Sequence, residues 1–168
     1  MQNAIVTLSL FLIASAYSLG QLETTSLERE STANAKDEEE IQKVLAQQAE
    51  AWNRHDAKAF SLVFAEDADF TNVVGMSAHG RAEIEEFHAP MFATRFKDTH
   101  LNITNTKIRF INPDVAAVDR WWEMTGAKTQ EGKEIPLRTG LLNFVMTKEG
   151  GQWFITVMHN MDLPAPNP

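Results

Sequence analysis

Cysteine is absent from this 168-residue chain. Without thiols, the chain cannot form disulfides, use a catalytic thiolate or bind zinc through cysteine. Basic residues are also scarce, since 15 Lys and Arg stand against 23 Asp and Glu, for a net charge of -8. Nucleic-acid-binding proteins normally present a basic patch or stripe, and basic segments attract proteins to membrane surfaces. We therefore expect neither nucleic acid nor a membrane surface as a partner.

Long apolar runs are missing too, apart from one near the N-terminus. Residues 1–20 carry no charged side chain and hold an apolar run from Ala4 to Ala16, which is shorter than the roughly 20 residues of a membrane span. The run suits a signal peptide, and Ala14 and Ala16 fit the small-residue cleavage pattern. An uncleaved anchor or a buried helix is the alternative. The sequence thus predicts a secreted or periplasmic protein, free of the membrane after signal cleavage.

The remaining chain reads as one domain between two irregular segments. Residues 21–36 are polar and predict a flexible linker. Residues 37–162 have the length and composition of a single globular domain. Residues 163–168 form a Pro-rich tail that cannot continue a helix or a strand.

Helical spacing prevails in the first part of this domain. Asp37 and Glu40 have the spacing of a capping box, and one apolar stripe follows them. A short second helix is predicted after Asp56, and a third from Arg81, which Pro90 should kink or end. The stripes of the three helices contain, in order, Ile41, Val44, Leu45, Gln48 and Trp52; Phe60, Val63 and Phe64; and Ile84, Phe87, His88 and Met91.

Two-residue alternation predicts the strands. A first strand over 69–75 places Phe70, Asn72 and Val74 on one face. Four long strands follow the third helix, over 101–111 with a bulge near Asn105, 115–126, 137–148 and 152–161. Helices followed by a run of strands indicate an α+β fold. We expect a cone-shaped, curved antiparallel sheet wrapped around the N-terminal helices and enclosing a pocket.

Four segments carry a resemblance to a known family. They are AWNRHDAKAFSLVFAEDADFTNVVG (51–75), HGRAEIEEFH (79–88), RTGLLNFVMTKEGGQWFI (138–155) and HNMD (159–162). The chain resembles the nuclear transport factor 2-like superfamily, and most closely its SnoaL-like branch and the proteins called SgcJ/EcaC-type oxidoreductases. The resemblance implies the fold above and often a homodimer. It does not imply one reaction, because this superfamily contains isomerases, hydrolases, cyclases and binding domains.

The resemblance also allows a comparison with ketosteroid isomerase, which uses a carboxylate base, a Tyr and a protonated Asp. Matched segment by segment, the base falls on Asn72, the Tyr on Gln48 and the Asp near Leu142. An amide cannot accept and return a proton at neutral pH, and Leu142 has no proton to donate. We therefore exclude steroid isomerisation.

Three polar residues on apolar stripes are candidates for the site. His88 is either a catalytic acid or base, with an ordinary pKa near 6.5, or a core histidine. Asn72 either contacts a ligand or bonds backbone near a sheet edge. Gln48 pairs either with Asn72 in a pocket network or with backbone, because an unpaired buried amide is costly.

Further ligand-binding candidates lie on the strands and on the first helix. Arg138 either binds an oxygen anion of a ligand or pairs with Asp119 or Glu123, and Arg120 poses the same alternatives. Trp121 and Trp122 must point to opposite faces, so one lines the interior and the other the outer face, where a dimer could form. The predicted ligand-binding set is Gln48, Trp52, Phe70, Asn72, Trp122, Arg138 and Asn160.

Metal and cofactor sites have no support in the sequence. The five His residues show no H-x-H or H-x-x-x-H pair, and there is no phosphate loop, nucleophile elbow or dinucleotide fingerprint. Three hypotheses remain: a protein that binds a small, mostly apolar molecule with a polar group, an enzyme that acts through His88 on a carbonyl-bearing or polycyclic substrate, and an assembly module.

Overall fold

The computed structural model of the chain describes residues 32–164. The predicted signal segment, residues 21–31 of the predicted linker and residues 165–168 of the tail lie outside them. A compact unit begins at Glu38. The elements are, in chain order, α1 (32–53), α2 (Ala57–Leu62), β1 (Phe64–Thr71), β2 (Ser77–His79), α3 (Gly80–Ala93), β3 (His100–Asn112), β4 (Val115–Thr125), β5 (Arg138–Glu149) and β6 (Gln152–Asp162).

The strands form one curved, unclosed sheet in the order β2-β1-β6-β5-β4-β3. Consecutive strands from β3 to β6 pair antiparallel, with Trp122 opposite Gly140 and Leu142 opposite Asn160. β1 pairs antiparallel with β2 but parallel with β6. The α+β prediction is confirmed, with this one parallel pair as a difference. The parallel pair requires a long crossover, which α3 and strands β3 to β5 provide.

The first helix differs from its prediction at its start. It already includes residues 32–36, so the prediction that Asp37 caps it is wrong. Ala33, Ala35 and Lys36 have high helix propensity, which extends the helix past the capping signature. The helix ends with His55 in the left-handed region (φ 56°), where the His55 and Asp56 amides donate to the Trp52 and Ala51 carbonyls. This is a Schellman-type end without glycine.

The boundary between α2 and β1 also differs. Asp56 caps α2 as predicted, accepting from the Ala59 amide at 2.9 Å. The helix ends at Leu62, however, and Phe64 pairs with Ile155 of β6. Phe60 and Phe64 have the four-residue spacing of a helix, but sheet pairing overrides that local preference.

The core lies between the helices and the inner face of the sheet. Ile41 and Leu45 of α1 are fully buried, as are Phe60 and Ile84 of the other helices. The bulge predicted near Asn105 is confirmed, since the β3–β4 register shifts between Ile103 and Asn105. Pro90 lies inside α3, which ends three residues later at Ala93.

Candidate functional site

The inner face of the sheet and the helices enclose a cavity of about 850 Å³. Small-molecule sites usually measure about 300 to 1,000 Å³ and are mostly apolar. The helical side contributes Trp52, Phe87, His88, Met91 and the following Phe96, and the sheet contributes Phe70, Met124, Met158 and Asn160. The cavity is therefore large enough for a ring system of drug-like size.

Most of the predicted site residues line this cavity. They are Trp52, Phe70, Asn72, His88, Arg138 and Asn160. Gln48 and Trp122 do not line it, although both are buried. Gln48 instead contacts Arg120, and Trp122 contacts the cavity residue Asn160 from behind the wall.

His88 lies at the deep, aromatic end of the cavity. The centroid of its ring lies 4.4 Å from that of Phe60, in a tilted arrangement, and 4.9 Å from that of Phe70, edge to face, and the residue is 1% exposed. Nδ1 lies 2.7 Å from the Ile84 carbonyl oxygen, which can only accept, so Nδ1 carries the proton. Burial lowers the pKa of His88 to about 4, so the imidazole is neutral at pH 7. Nε2 accepts no hydrogen bond from any residue within 32–164 and is left to the cavity.

Gln48 belongs to a buried polar contact with Arg120 of β4. One terminal nitrogen of Arg120 donates to Gln48 Oε1 at 3.2 Å and to the Leu45 carbonyl at 2.8 Å. No carboxylate among residues 32–164 forms an ion pair with Arg120, and its Nε lacks a partner there. Burial lowers the pKa of Arg120 to about 10, which still leaves it charged at pH 7. The expectation that Gln48 would pair with Asn72 or with backbone is thus wrong, because Arg120 takes its oxygen.

Asn72 shapes the rim of the cavity. The strand predicted over 69–75 ends at Thr71, because Asn72 Oδ1 accepts from the Val74 and Met76 amides and closes a turn. Val74, predicted on an inward strand face, is 74% exposed at this turn. The backbone alternative for Asn72 is thus confirmed. Asn72 also lines the cavity, and its contact with a ligand stays a prediction.

Trp122 lies behind Asn160. Its indole Nε1 donates to Asn160 Oδ1 at 3.0 Å. The ring covers Gly140 of β5, where an added Cβ would overlap it. Trp121 points to the opposite face, with Lys107 over its ring. The prediction that the two Trp residues face opposite sides is confirmed, and Asn160 faces inward as expected.

Charged side chains lie nearer the rim. Arg138 donates to Asp162 Oδ1 at 2.6 Å and lies over the ring of Trp122. Its ion-pair partner is therefore Asp162 of β6 and not Asp119 or Glu123, the predicted partners. Glu86 and Arg95 also line the cavity and are exposed.

Sequence reasoning missed several wall residues. Met124, Met158 and Phe96 line the cavity, and none of them was predicted there. Met158 precedes Asn160 by two residues and shares its face, which was the available clue. Phe96 follows the end of α3, where no periodic pattern applies.

Within residues 32–164, no group of three or more His, Cys, Asp or Glu side chains could hold a metal ion. No helix in that range is both long and apolar enough to cross a bilayer.

Comparison with solved structures supports the fold. An uncharacterised protein with a cystatin-like fold from Caulobacter vibrioides is 26% identical, with a TM-score of 0.70 over 75% of this chain and 89% of that one. A domain of unknown function from Nostoc punctiforme is 28% identical, with a TM-score of 0.64 over 77% and 79%. A hexachlorocyclohexane dehydrochlorinase from Novosphingobium barchaimii is 14% identical, with a TM-score of 0.71 over 79% and 90%, which is similarity of fold alone.

Comparison with curated protein sequences finds no match. The family model of the SnoaL-like domain matches residues 45–154. This range covers most of the unit that forms the sheet and the cavity. The chain therefore belongs to the SnoaL-like domain family.

Proposed function

We propose that this protein binds a small, mostly apolar molecule that carries a polar group. One observation supports this above all: the wall is rich in Trp, Phe and Met side chains, and its buried His has no carboxylate partner within residues 32–164. A catalytic His usually needs a neighbour that raises or tunes its pKa. Within the described part of the chain, His88 bonds a backbone carbonyl and packs against aromatic rings, which favours recognition over proton transfer.

Ligand capture from cell extracts tests this proposal. The purified protein is incubated with varied extracts, washed, and analysed by mass spectrometry for bound small molecules. Met91→Trp should fill part of the cavity and reduce recovery at least tenfold. Met161→Trp is the matched control, because Met161 does not line the cavity. No ligand from any extract, or equal recovery with Met91→Trp, would contradict the proposal.

An enzymatic role is the second candidate. The unprotonated Nε2 of His88 is left to the cavity, and a protein of similar fold is a dehydrochlorinase. Proton abstraction by His88 from a carbonyl-bearing or polycyclic substrate would be the corresponding chemistry. With a turnover assay in hand, His88→Ala should lower kcat by about 100-fold, and an unchanged rate would exclude this role.

We also propose export, on the basis of the uncharged apolar run in residues 1–20. The protein recovered outside the cytoplasm should lack these residues by N-terminal sequencing. Leu12→Asp in the run should retain the protein inside the cell, and full-length protein outside would contradict cleavage.

A further inference from the structure

Two hydrogen bonds fix the polarity that the cavity wall presents. The Ile84 carbonyl can only accept, so the proton of His88 stays on Nδ1 and its Nε2 is an acceptor. The Trp122 indole N–H can only donate, so the oxygen of Asn160 faces Trp122 and its NH₂ group is a donor. The usual ambiguities of a His tautomer and an Asn flip are therefore resolved by partners behind the wall.

Trp122 keeps its place because of Gly140. A Cβ on Gly140 would overlap the benzo ring of Trp122, so glycine at this position leaves the indole room to lie over β5. Trp122 is 1% exposed and does not line the cavity, so it holds Asn160 from behind the wall. Asn160 makes no second hydrogen bond within residues 32–164, which leaves its NH₂ group available.

The acceptor and the donor lie within reach of one small molecule. The His88 ring is 4.9 Å from Phe70, and Phe70 is paired with Met158 on β6. Asn160 follows Met158 by two residues on the same face, roughly 7 Å along the strand. His88, Phe70, Met158 and Asn160 all line the same cavity, so one bicyclic molecule lying along Phe70 and Met158 has a polar group of the wall at each end.

We propose that the ligand is an uncharged, mostly apolar molecule with an O–H or N–H group that donates to His88 Nε2 and an oxygen that accepts from Asn160 Nδ2. Trp122 is the positioning residue that makes Asn160 a donor. This inference rests on the proposed binding function and specifies its ligand class. A carboxylate would place lone pairs against the Nε2 lone pair, and an ammonium would be desolvated, because no carboxylate within residues 32–164 pairs with His88.

A matched set of bicyclic probes tests the pattern. The probes are 6-hydroxy-1-tetralone, which has both groups; its methyl ether, which lacks the donor; 5,6,7,8-tetrahydro-2-naphthol, which lacks the carbonyl; and tetralin, which lacks both. Affinities are measured by titration calorimetry or ligand-observed NMR. Loss of either group should weaken binding to the unaltered protein about tenfold, the worth of one well-placed hydrogen bond.

The variants assign each preference to its residue. His88→Phe should abolish the preference for the hydroxyl and keep that for the carbonyl. Trp122→Phe should abolish the preference for the carbonyl and keep that for the hydroxyl, which a general loss of packing would not do. Asn160→Leu should repeat the effect of Trp122→Phe and provides the test if Trp122→Phe does not fold by circular dichroism.

Each result supports the inference or overturns it. Selective loss of one preference per variant supports it. Equal affinities for all four probes, or tighter binding of protonated 2-aminotetralin than of the phenol, would overturn the pattern while the binding function stands. If none of the probes, tetralin included, bound to the protein at millimolar concentration, the result would contradict both the pattern and the binding function.

Discussion

His88 makes the stability of this protein depend on pH. Its folded-state pKa of about 4 lies below the ordinary 6.5, so the unfolded chain takes up a proton first as the pH falls. Stability is therefore full above pH 6.5 and is lost between pH 6.5 and about 4, by up to about 3 kcal/mol. Urea denaturation at a series of pH values should show this loss, and His88→Phe should reduce it.

The matched control for this pH series is Phe87→Leu, which alters a neighbouring cavity residue without a titrating group. It should keep the dependence of the unaltered protein. If His88→Phe and the unaltered protein lost the same free energy of unfolding between pH 6.5 and 4, His88 would not be the titrating group.

Arg120 and Gln48 form a buried unit whose members should not behave additively. Gln48→Met leaves the buried guanidinium with one acceptor fewer and should cost about 2 to 4 kcal/mol. Arg120→Met removes the charge together with its desolvation cost and should cost less, within about 1.5 kcal/mol. The double variant should lose less free energy of unfolding than the two single variants lose together, as measured by urea denaturation. Strictly additive costs would show that the two side chains do not depend on each other.

The sequence predicted the composition of the cavity better than its hydrogen bonds. Stripe and strand periodicity place His88 and Phe70 on inward faces, because side-chain direction follows from local geometry, and the family resemblance placed Asn160 inward. The partner of Gln48 could not be predicted in this way. Arg120 lies 72 residues away along the chain, and only the sheet register brings it to α1.

At the scale of the secondary elements, the side chain of Asn53 links α1 to β3 through two hydrogen bonds. Asn53 Nδ2 donates to the Leu101 carbonyl at 2.9 Å, and its Oδ1 accepts from the Leu101 amide at 2.7 Å. Asn53→Ala leaves both backbone groups of Leu101 without this partner and should destabilise the fold by about 2 kcal/mol. Asn53→Asp keeps the acceptor but loses the donor, so it should also destabilise the fold. Chemical denaturation measures the free energy of unfolding of both variants. Thr104→Ala, at an exposed β3 position, is the control and should change little.

Element prediction succeeded where one pattern persisted over many residues. The four long strands have clear alternation, and each boundary lies within one or two residues of its prediction. The missed strand, β2, has three residues and pairs only with β1. A segment so short has no measurable period, and its pairing depends on the turn that Asn72 closes.

At the scale of the whole molecule, the sheet has two faces with different environments. The inward side chains of β4 are buried, whereas Trp121, Leu141 and Val145 point outward and are only partly buried. Outward apolar side chains on adjacent strands are typical of protein contact surfaces. A homodimer through this face is the partner prediction that the sequence and the family resemblance share.

Trp121→Glu should break such a dimer, because it removes a large apolar side chain from the outer face and adds a carboxylate between Asp119 and Glu123, which point to the same side of β4. In sedimentation velocity at micromolar concentration, the unaltered protein should have twice the mass of the chain, and the variant the mass of one chain. Leu62→Glu is the control, since Leu62 is 54% exposed on α2, outside the sheet, and should remain dimeric. Binding of 6-hydroxy-1-tetralone should be the same for Trp121→Glu, because Trp121 points away from the cavity. A strictly monomeric unaltered protein, or a dimer that survives Trp121→Glu, would contradict an interface on the outer sheet face and would leave the cavity as the protein's one proposed binding surface.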